Sequence, residues 1–105
     1  PIGYDVNFPL EGPAGTLRPA AEVFEPETGR VLTVLTDAPA VQFYSARQMA
    51  GPLTGKGGAV YGPGSGFCLE TQTYPDSPNK PNFPSPVLRP GETYRHTLVW
   101  RFSAR

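Results

Sequence analysis

Glu70 is the residue whose type and position point most directly to chemistry. Residues 67–72 alternate with a period of two, which predicts a strand with Phe67, Leu69 and Thr71 on one face and Glu70 on the other. Strands are depleted in glutamate, so a carboxylate in mid-strand either faces water or belongs to a site. Composition alone leaves both interpretations open.

Two further strands carry polar residues opposite an apolar set. Residues 2–8 form one predicted strand, with Asp5 and Asn7 on its polar face, and residues 41–45 form another, with Gln42 on its polar face. Asp5 is equally well explained as a solvent-facing or turn residue. A glutamine on a strand is usually solvated, so the pattern by itself does not make Gln42 a binding residue.

One long stretch of the chain resembles a known family. Residues 66–85 combine the strand motif CLETQ with a loop of prolines, Asp76 and asparagines, and residues 87–94 continue the match. This run closely resembles the C-terminal signature of the aldose 1-epimerases, or galactose mutarotases. The resemblance extends from Gly3 to Phe102, and it covers only the C-terminal third of a typical family member.

The resemblance implies roles for three residues. Glu70 would be the catalytic base in the interconversion of α and β anomers of hexoses such as galactose and glucose. Asp5 takes the place of a sugar-binding aspartate in a GYDHNF-like motif, although Val6 stands where histidine is usual. Gln42, in a VQFY motif, would contact the sugar, and an amide both donates and accepts hydrogen bonds, as a sugar hydroxyl does.

Size and composition limit the fold and the possible partners. The 105 residues carry no net charge, 14 prolines and 12 glycines, and no sustained helical periodicity. We therefore expect one all-β domain over residues 1–105, and the resemblance implies an antiparallel β-sandwich whose N-terminal portion is absent. The absence of a basic stripe and of a long apolar run argues against nucleic acid and membranes as partners.

The remaining segments give specific structural expectations. Residues 20–25 and 30–36 predict a hairpin closed by residues 26–29, and its second strand is apolar on both faces and so expected to be covered on both sides. Residues 10–19 are predicted to form a loop. Residues 47–65 are predicted to form a long crossing loop that does not bind phosphate. Residues 93–103 are predicted to form the last strand.

Cys68 and His96 are the only cysteine and the only histidine in the chain. Cys68 is expected to be a small buried residue rather than a reactive thiol. His96, on the apolar face of the last strand, is expected to be a packed, hydrogen-bonded residue without a catalytic role, and it cannot make a zinc site alone. We expect no metal and no cofactor, and we favour a cytoplasmic location without a sequence feature that decides it.

Three hypotheses for function follow. The first is the C-terminal part of an aldose 1-epimerase, which lacks the general-acid histidine of the family and so has little or no activity alone. Its partners would be a hexose and either the missing N-terminal portion or another copy of the chain. The second is a non-catalytic carbohydrate-binding module, and the third is a β-fragment that self-assembles through unpaired strand edges.

Overall fold

A computed structural model describes residues 3–105, so Ile2, the first residue of the predicted strand 2–8, lies outside the described part. Eight strands are present in these residues, together with two short 3₁₀ turns. The strands are β1 (Asp5–Pro9), β2 (Arg18–Glu25), β3 (Arg30–Thr36), β4 (Ala40–Tyr44), β5 (Leu53–Thr54), β6 (Val60–Tyr61), β7 (Cys68–Gln72) and β8 (Leu98–Ala104).

The strands form two three-stranded antiparallel sheets and one small hairpin. One sheet has the order β1-β4-β7, the other has the order β2-β3-β8, and β5 pairs with β6. The two larger sheets approach each other where Val23 of β2 and Phe43 of β4 line a common cavity. The expected all-β, sandwich-like fold is confirmed. No helix within residues 3–105 has the length and apolar character needed to cross a membrane.

The predicted hairpin is formed by β2 and β3. Gly29 closes its turn with a φ of 72°, a conformation that glycine adopts without steric cost. The Glu25 carboxylate accepts hydrogen bonds from the backbone N–H of Glu27 at 2.7 Å and of Thr28 at 2.8 Å. The short Thr28 hydroxyl contact and these N–H donors lower the pKa of Glu25, because they stabilise its charged form.

Strand β3 supplies much of the core. Val31, Val34 and Leu35 are buried, as expected for a strand between two neighbours that is covered on both faces. Thr36 is also buried, and its hydroxyl is satisfied because it donates to the Thr97 carbonyl at 3.0 Å and accepts from the Ala38 N–H at 3.1 Å.

Two predicted loops contain more structure than expected. Strand β2 starts at Arg18, within the segment predicted as a loop, because the Arg18 guanidinium is held by three backbone carbonyls. Residues 47–65 contain the β5–β6 hairpin, which encloses a 3₁₀ turn at Lys56–Gly58. Two-residue strands give too short an alternation to be detected in the sequence.

The last strand is shorter than predicted. Only Leu98–Ala104 pairs with β3, whereas residues 93–97 lie outside any ladder. The strand pairing ends at Thr97 because its N–H donates to both carboxylate oxygens of Asp37, at 2.9 and 3.0 Å, instead of to a strand carbonyl. Side-chain competition for a backbone donor is therefore the physical reason for the difference.

Candidate functional site

An open groove lies on the polar face of the β1-β4-β7 sheet. Its volume is about 580 Å³, within the range of small-molecule sites. The residues around it are Asp5, Gln42, Tyr44, Gln48, Glu70, Gln72 and Pro75. All three residues predicted for the site are among them, and they come from three different strands.

The strand register explains why these side chains meet. Gln42 of β4 is the cross-strand partner of Asn7 on β1 and of Glu70 on β7, so the three occupy one row across the sheet. Asp5 lies two residues from Asn7 on β1 and therefore on the same face. The apolar residues between them, Val41 and Leu69 among them, point to the opposite face, as the alternation predicted.

A hydrogen bond fixes the orientation of the Gln42 amide. Gln42 Nε2 donates to Asp5 Oδ1 at 2.7 Å, so Gln42 Oε1 is turned away from the carboxylate. Within residues 3–105, Gln42 Oε1 and Asn7 Nδ2 are shielded from solvent and make no hydrogen bond. An acceptor and a donor without partners, on side chains that face each other across β1 and β4, leave local hydrogen-bonding capacity unused.

Four groove residues were not identified from the sequence. Tyr44 and Gln72 follow Gln42 and Glu70 by two residues, so the period of two could have placed them on the same face. Gln48 and Pro75 come from loops, where no periodicity exists. Gln48 is located by a hydrogen bond from its Nε2 to the Gly3 carbonyl at 3.1 Å, a long-range contact without a sequence signal.

The loop that follows β7 is ordered by its own side chains. The rings of Tyr74 and Phe83 pack edge to face with centroids 5.1 Å apart. Asp76 adopts a left-handed conformation and accepts from Asn79 Nδ2 at 2.6 Å, and it also pairs with Lys80 at 3.2 Å. These contacts hold the segment next to Pro75 at the edge of the groove.

The expectation for Cys68 is wrong. Cys68 is a free, exposed cysteine, and it lies beside an apolar cavity of about 370 Å³ that Tyr44, Tyr61 and Phe67 also line. Its strand, β7, is at the edge of the sheet, and Cys68 points to the same face as Glu70. An edge strand with one uncovered face cannot bury a side chain there, even an apolar one.

His96 is hydrogen-bonded as expected, but it is not packed into the core. Its Nδ1 lies 3.0 Å from Asp37 Oδ1, and its Nε2 lies 2.9 Å from Thr71 Oγ1. The imidazole is 25% exposed and stacks at 15° on the ring of Tyr94. The hydrogen bonds that Thr97 donates, aided by the nearby imidazole, lower the pKa of Asp37.

Within the part of the chain that the structure describes, no three His, Cys, Asp or Glu side chains come close enough to hold a metal ion. The groove instead presents carboxylate, amide and phenol groups. Such groups exchange hydrogen bonds with hydroxyl-rich ligands, and a carboxylate among them can also remove a proton.

Comparison with known proteins assigns the chain to a family. A family model described as aldose 1-epimerase matches residues 1–101. The chain is 50% identical over 101 residues to galactose mutarotase from Homo sapiens, covering 96% of this chain and 29% of that protein. It is 38% identical over 104 residues to aldose 1-epimerase from Escherichia coli strain K12, covering 97% of this chain and 30% of that protein. It thus spans less than a third of the length of these relatives. The chain belongs to the aldose 1-epimerase family.

Proposed function

We propose that the chain is the base-carrying part of an aldose 1-epimerase, which interconverts the α and β anomers of hexoses such as galactose or glucose. Glu70 acts as the general base in this proposal, and Asp5 and Gln42 hold sugar hydroxyls. The observation that carries it is the convergence of these three side chains, from three strands, on one open groove.

The chemistry of anomer exchange suits such a groove. A base removes the proton from the C1 hydroxyl while an acid protonates the ring oxygen, the hemiacetal opens, and the aldehyde carbon turns before the ring closes again. Each positioned proton-transfer group typically contributes about 10²–10⁴-fold to the rate. Glu70 is exposed to the groove, so its carboxylate is accessible to a bound hydroxyl.

The arrangement of Gln42 supports a role in orienting the sugar. Asp5 holds the Gln42 Nε2 atom, which leaves the amide oxygen with no donor from the described residues. That oxygen is shielded from solvent, so the group that Gln42 offers to a sugar hydroxyl is the second hydrogen of Nε2, because an amide NH₂ has two donors. Asp5 keeps a second carboxylate oxygen for a hydroxyl of its own.

The histidine that would act as the general acid, by resemblance to the family, does not lie in the groove formed by the described residues. His96, the only histidine, contacts Thr71, whose side chain points to the sheet face opposite that of Glu70. An acid would come from another polypeptide segment, and we therefore expect the isolated chain to have little or no activity.

A second observation favours contact between this chain and another polypeptide segment. Large apolar side chains remain exposed on the edge strands of the two sheets, including Trp100 and Phe102 of β8 and Val6 and Phe8 of β1. Such residues are normally covered in a stable domain. Additional strands of a longer epimerase would cover them, and in the isolated chain a second copy could do so.

The decisive experiment supplies the remaining part of an epimerase. The aligned C-terminal segment of the human galactose mutarotase would be replaced by this chain, to which it is 50% identical. Anomer exchange would be followed by polarimetry on freshly dissolved α-D-galactose and α-D-glucose. We expect exchange well above the buffer rate, and a fall of about 10²-fold or more in Glu70→Gln, which keeps the side-chain shape but removes the base.

The control is Glu27→Gln, an exposed glutamate in the turn between β2 and β3 of the other sheet. This variant should exchange anomers at the same rate as the unmodified chimera. An inactive but folded chimera, or an active Glu70→Gln variant, would contradict the proposal. Galactose binding without exchange would support the carbohydrate-binding module instead.

A further inference from the structure

The strand that carries Glu70 is tied to the second sheet by a chain of side-chain contacts. His96 Nδ1 lies 3.0 Å from Asp37 Oδ1, and His96 Nε2 lies 2.9 Å from Thr71 Oγ1. Thr71 directly follows Glu70 on β7. We call the Asp37–His96–Thr71 contacts the latch.

The Asp37 end of the latch is well anchored. Asp37 follows β3, and its carboxylate accepts two hydrogen bonds from the Thr97 N–H, at 2.9 and 3.0 Å. The Asp37 N–H in turn donates to the Thr97 carbonyl at 3.3 Å, and the buried Thr36 hydroxyl donates to the same carbonyl at 3.0 Å. The imidazole therefore projects from a fixed point of the β2-β3-β8 sheet.

The Thr71 end lies on a strand that needs support. Within residues 3–105, β7 is an edge strand that pairs only with β4. Edge strands have one unpaired row of backbone groups and are less constrained than central strands. A side-chain bond from His96, in the segment that precedes β8, therefore adds a restraint one residue away from Glu70.

We propose that His96 is a positioning residue, which through Thr71 fixes the edge strand that presents Glu70 to the groove. This inference rests on the proposed role of Glu70. It extends that role by assigning a function to a histidine on the opposite side of the sheet, which does not touch the sugar or the reacting atoms.

The donor pattern of the latch depends on the state of the imidazole. The carboxylate of Asp37 accepts from Nδ1–H, so a neutral ring has a lone pair on Nε2 and the Thr71 hydroxyl donates to it. A protonated ring carries a proton on Nε2, so Nε2 donates and the Thr71 hydroxyl must find another acceptor. The titratable or charged groups around the adjoining cavity are Asp37, Tyr94, Arg95 and His96 itself.

This reversal of donor and acceptor can be detected without measuring catalysis. In the ¹³C,¹⁵N-labelled 105-residue chain, the ring nitrogen signals report the ionisation of His96, and the carboxyl carbon signal reports the state of Glu70. We expect the Glu70 signal to show a second step at the pH where His96 titrates, in addition to the step of its own ionisation.

Two variants separate the latch from direct electrostatic effects. Thr71→Val keeps the shape and strand preference of the residue but removes the hydroxyl, so the second step of Glu70 should disappear while His96 still titrates. His96→Gln keeps a hydrogen-bonding side chain that does not titrate, so the second step should also disappear. Thr73→Val is the matched control, because Thr73 borders the same cavity without a bond to His96, and it should behave as the wild type.

The inference is wrong if the wild-type Glu70 signal shows a single step, or if its second step persists in Thr71→Val. Dispersed amide signals establish that each variant is folded, and His96→Gln decides the question if Thr71→Val is not. An epimerase chimera that fails to exchange anomers would contradict the proposed function, while the step in the Glu70 signal would still decide whether the latch exists.

Discussion

At the scale of single residues, the groove depends on one amide being held in one orientation. A glutamine side chain can rotate to present either its oxygen or its nitrogen, and only the Asp5–Gln42 hydrogen bond, at 2.7 Å, selects between them. Orientation before binding reduces the entropy lost when the ligand is held. Asp5 therefore has two tasks in the proposed site, which are to contact a hydroxyl and to orient Gln42.

We predict that Asp5→Ala in the epimerase chimera weakens galactose binding by about tenfold or more, equivalent to about 1.4 kcal/mol, because it removes a charged hydrogen-bond partner and frees the Gln42 amide. Asp5→Asn keeps one acceptor oxygen in the same place and should lose less affinity than Asp5→Ala. Titration calorimetry measures both. Equal affinity of Asp5→Ala and the unmodified chimera would show that Asp5 has neither task.

The groove residues could be predicted from the sequence only in part. Alternation placed Asp5, Gln42 and Glu70 on polar strand faces, but it could not show that β1, β4 and β7 belong to one sheet, which requires non-local pairing. The three proposed roles came from the family resemblance. The Thr71–His96 contact spans 25 residues and joins the β1-β4-β7 sheet to the segment that precedes β8, so neither pattern nor resemblance indicated it.

At the scale of elements, the turn between β2 and β3 packs closely against the residue that follows β8. Gly29 has a φ of 72°, its carbonyl accepts from the Arg105 N–H at 2.9 Å, and a β-carbon there would collide with the Arg105 carbonyl oxygen. Gly15 also has a positive φ, of 82°, but a β-carbon there would meet no neighbouring atom within 4 Å.

Gly15→Ala should therefore destabilise the fold by about 1 kcal/mol, the cost of a left-handed alanine, and Gly29→Ala by more than that. Thermal unfolding of the two variants and the wild type provides the comparison. Equal loss in both would mean that the Arg105 contact has no energetic weight.

The junction between β3 and β8 should respond to acid. The pKa of Asp37 is lowered chiefly by the Thr97 N–H donors, so its contribution to stability is present above the unfolded pKa, about 3.9, and is lost as the pH falls through the lower folded pKa. Hydrogen bonds to a charged group are typically worth about 1.5–3 kcal/mol.

We expect Asp37→Asn to lower the free energy of unfolding at neutral pH by an amount of that order, and the difference from the wild type to shrink at acid pH, below about 3.9, as Asp37 becomes protonated first in the unfolded and then in the folded chain. Urea unfolding at both pH values measures it, with Glu27→Gln as an exposed acidic control. A difference that does not change with pH would exclude the Asp37 charge as its cause.

The strands were predicted correctly where the alternation of apolar and polar residues was long. The prediction was wrong where a side chain bound a backbone N–H that would otherwise pair within the sheet. The β2–β3 hairpin was predicted within two residues because its turn residues and apolar runs agree. The segment before β8 alternates as clearly, yet Asp37 binds the Thr97 N–H and strand pairing ends there. Such competition depends on a residue 60 positions away, which no local pattern contains.

At the scale of the whole molecule, the chain exposes more surface than a compact protein of its mass. Its accessible surface is 7714 Å², against about 5,700 Å² expected for a monomeric protein of 11.3 kDa. Its radius of gyration is 16.6 Å, against about 13 Å for a compact domain of this length. A standard protein interface removes about 800 Å² from each partner, so the excess exceeds one such interface.

Part of the uncovered apolar surface lies on β8. Trp100 and Phe102 are 56% and 73% exposed, although they are the register partners of Val34 and Leu32 on the core strand β3 and so lie on the same sheet face. Their rings pack edge to face at 6.4 Å and form a continuous apolar patch along an edge strand. An exposed apolar edge of this kind promotes association with another chain.

We therefore predict that the isolated chain self-associates and that Phe102→Lys weakens this association. Burying a phenylalanine side chain contributes about 1.5–3 kcal/mol, so its replacement by a charged residue should raise the dissociation constant by about tenfold or more. Sedimentation velocity over a wide concentration range measures it, and Tyr61→Lys, an exposed aromatic on the separate β5–β6 hairpin, is the matched control. A wild-type chain that remains monomeric at every concentration, or equal weakening by both variants, would show that the β8 patch does not mediate contact between copies.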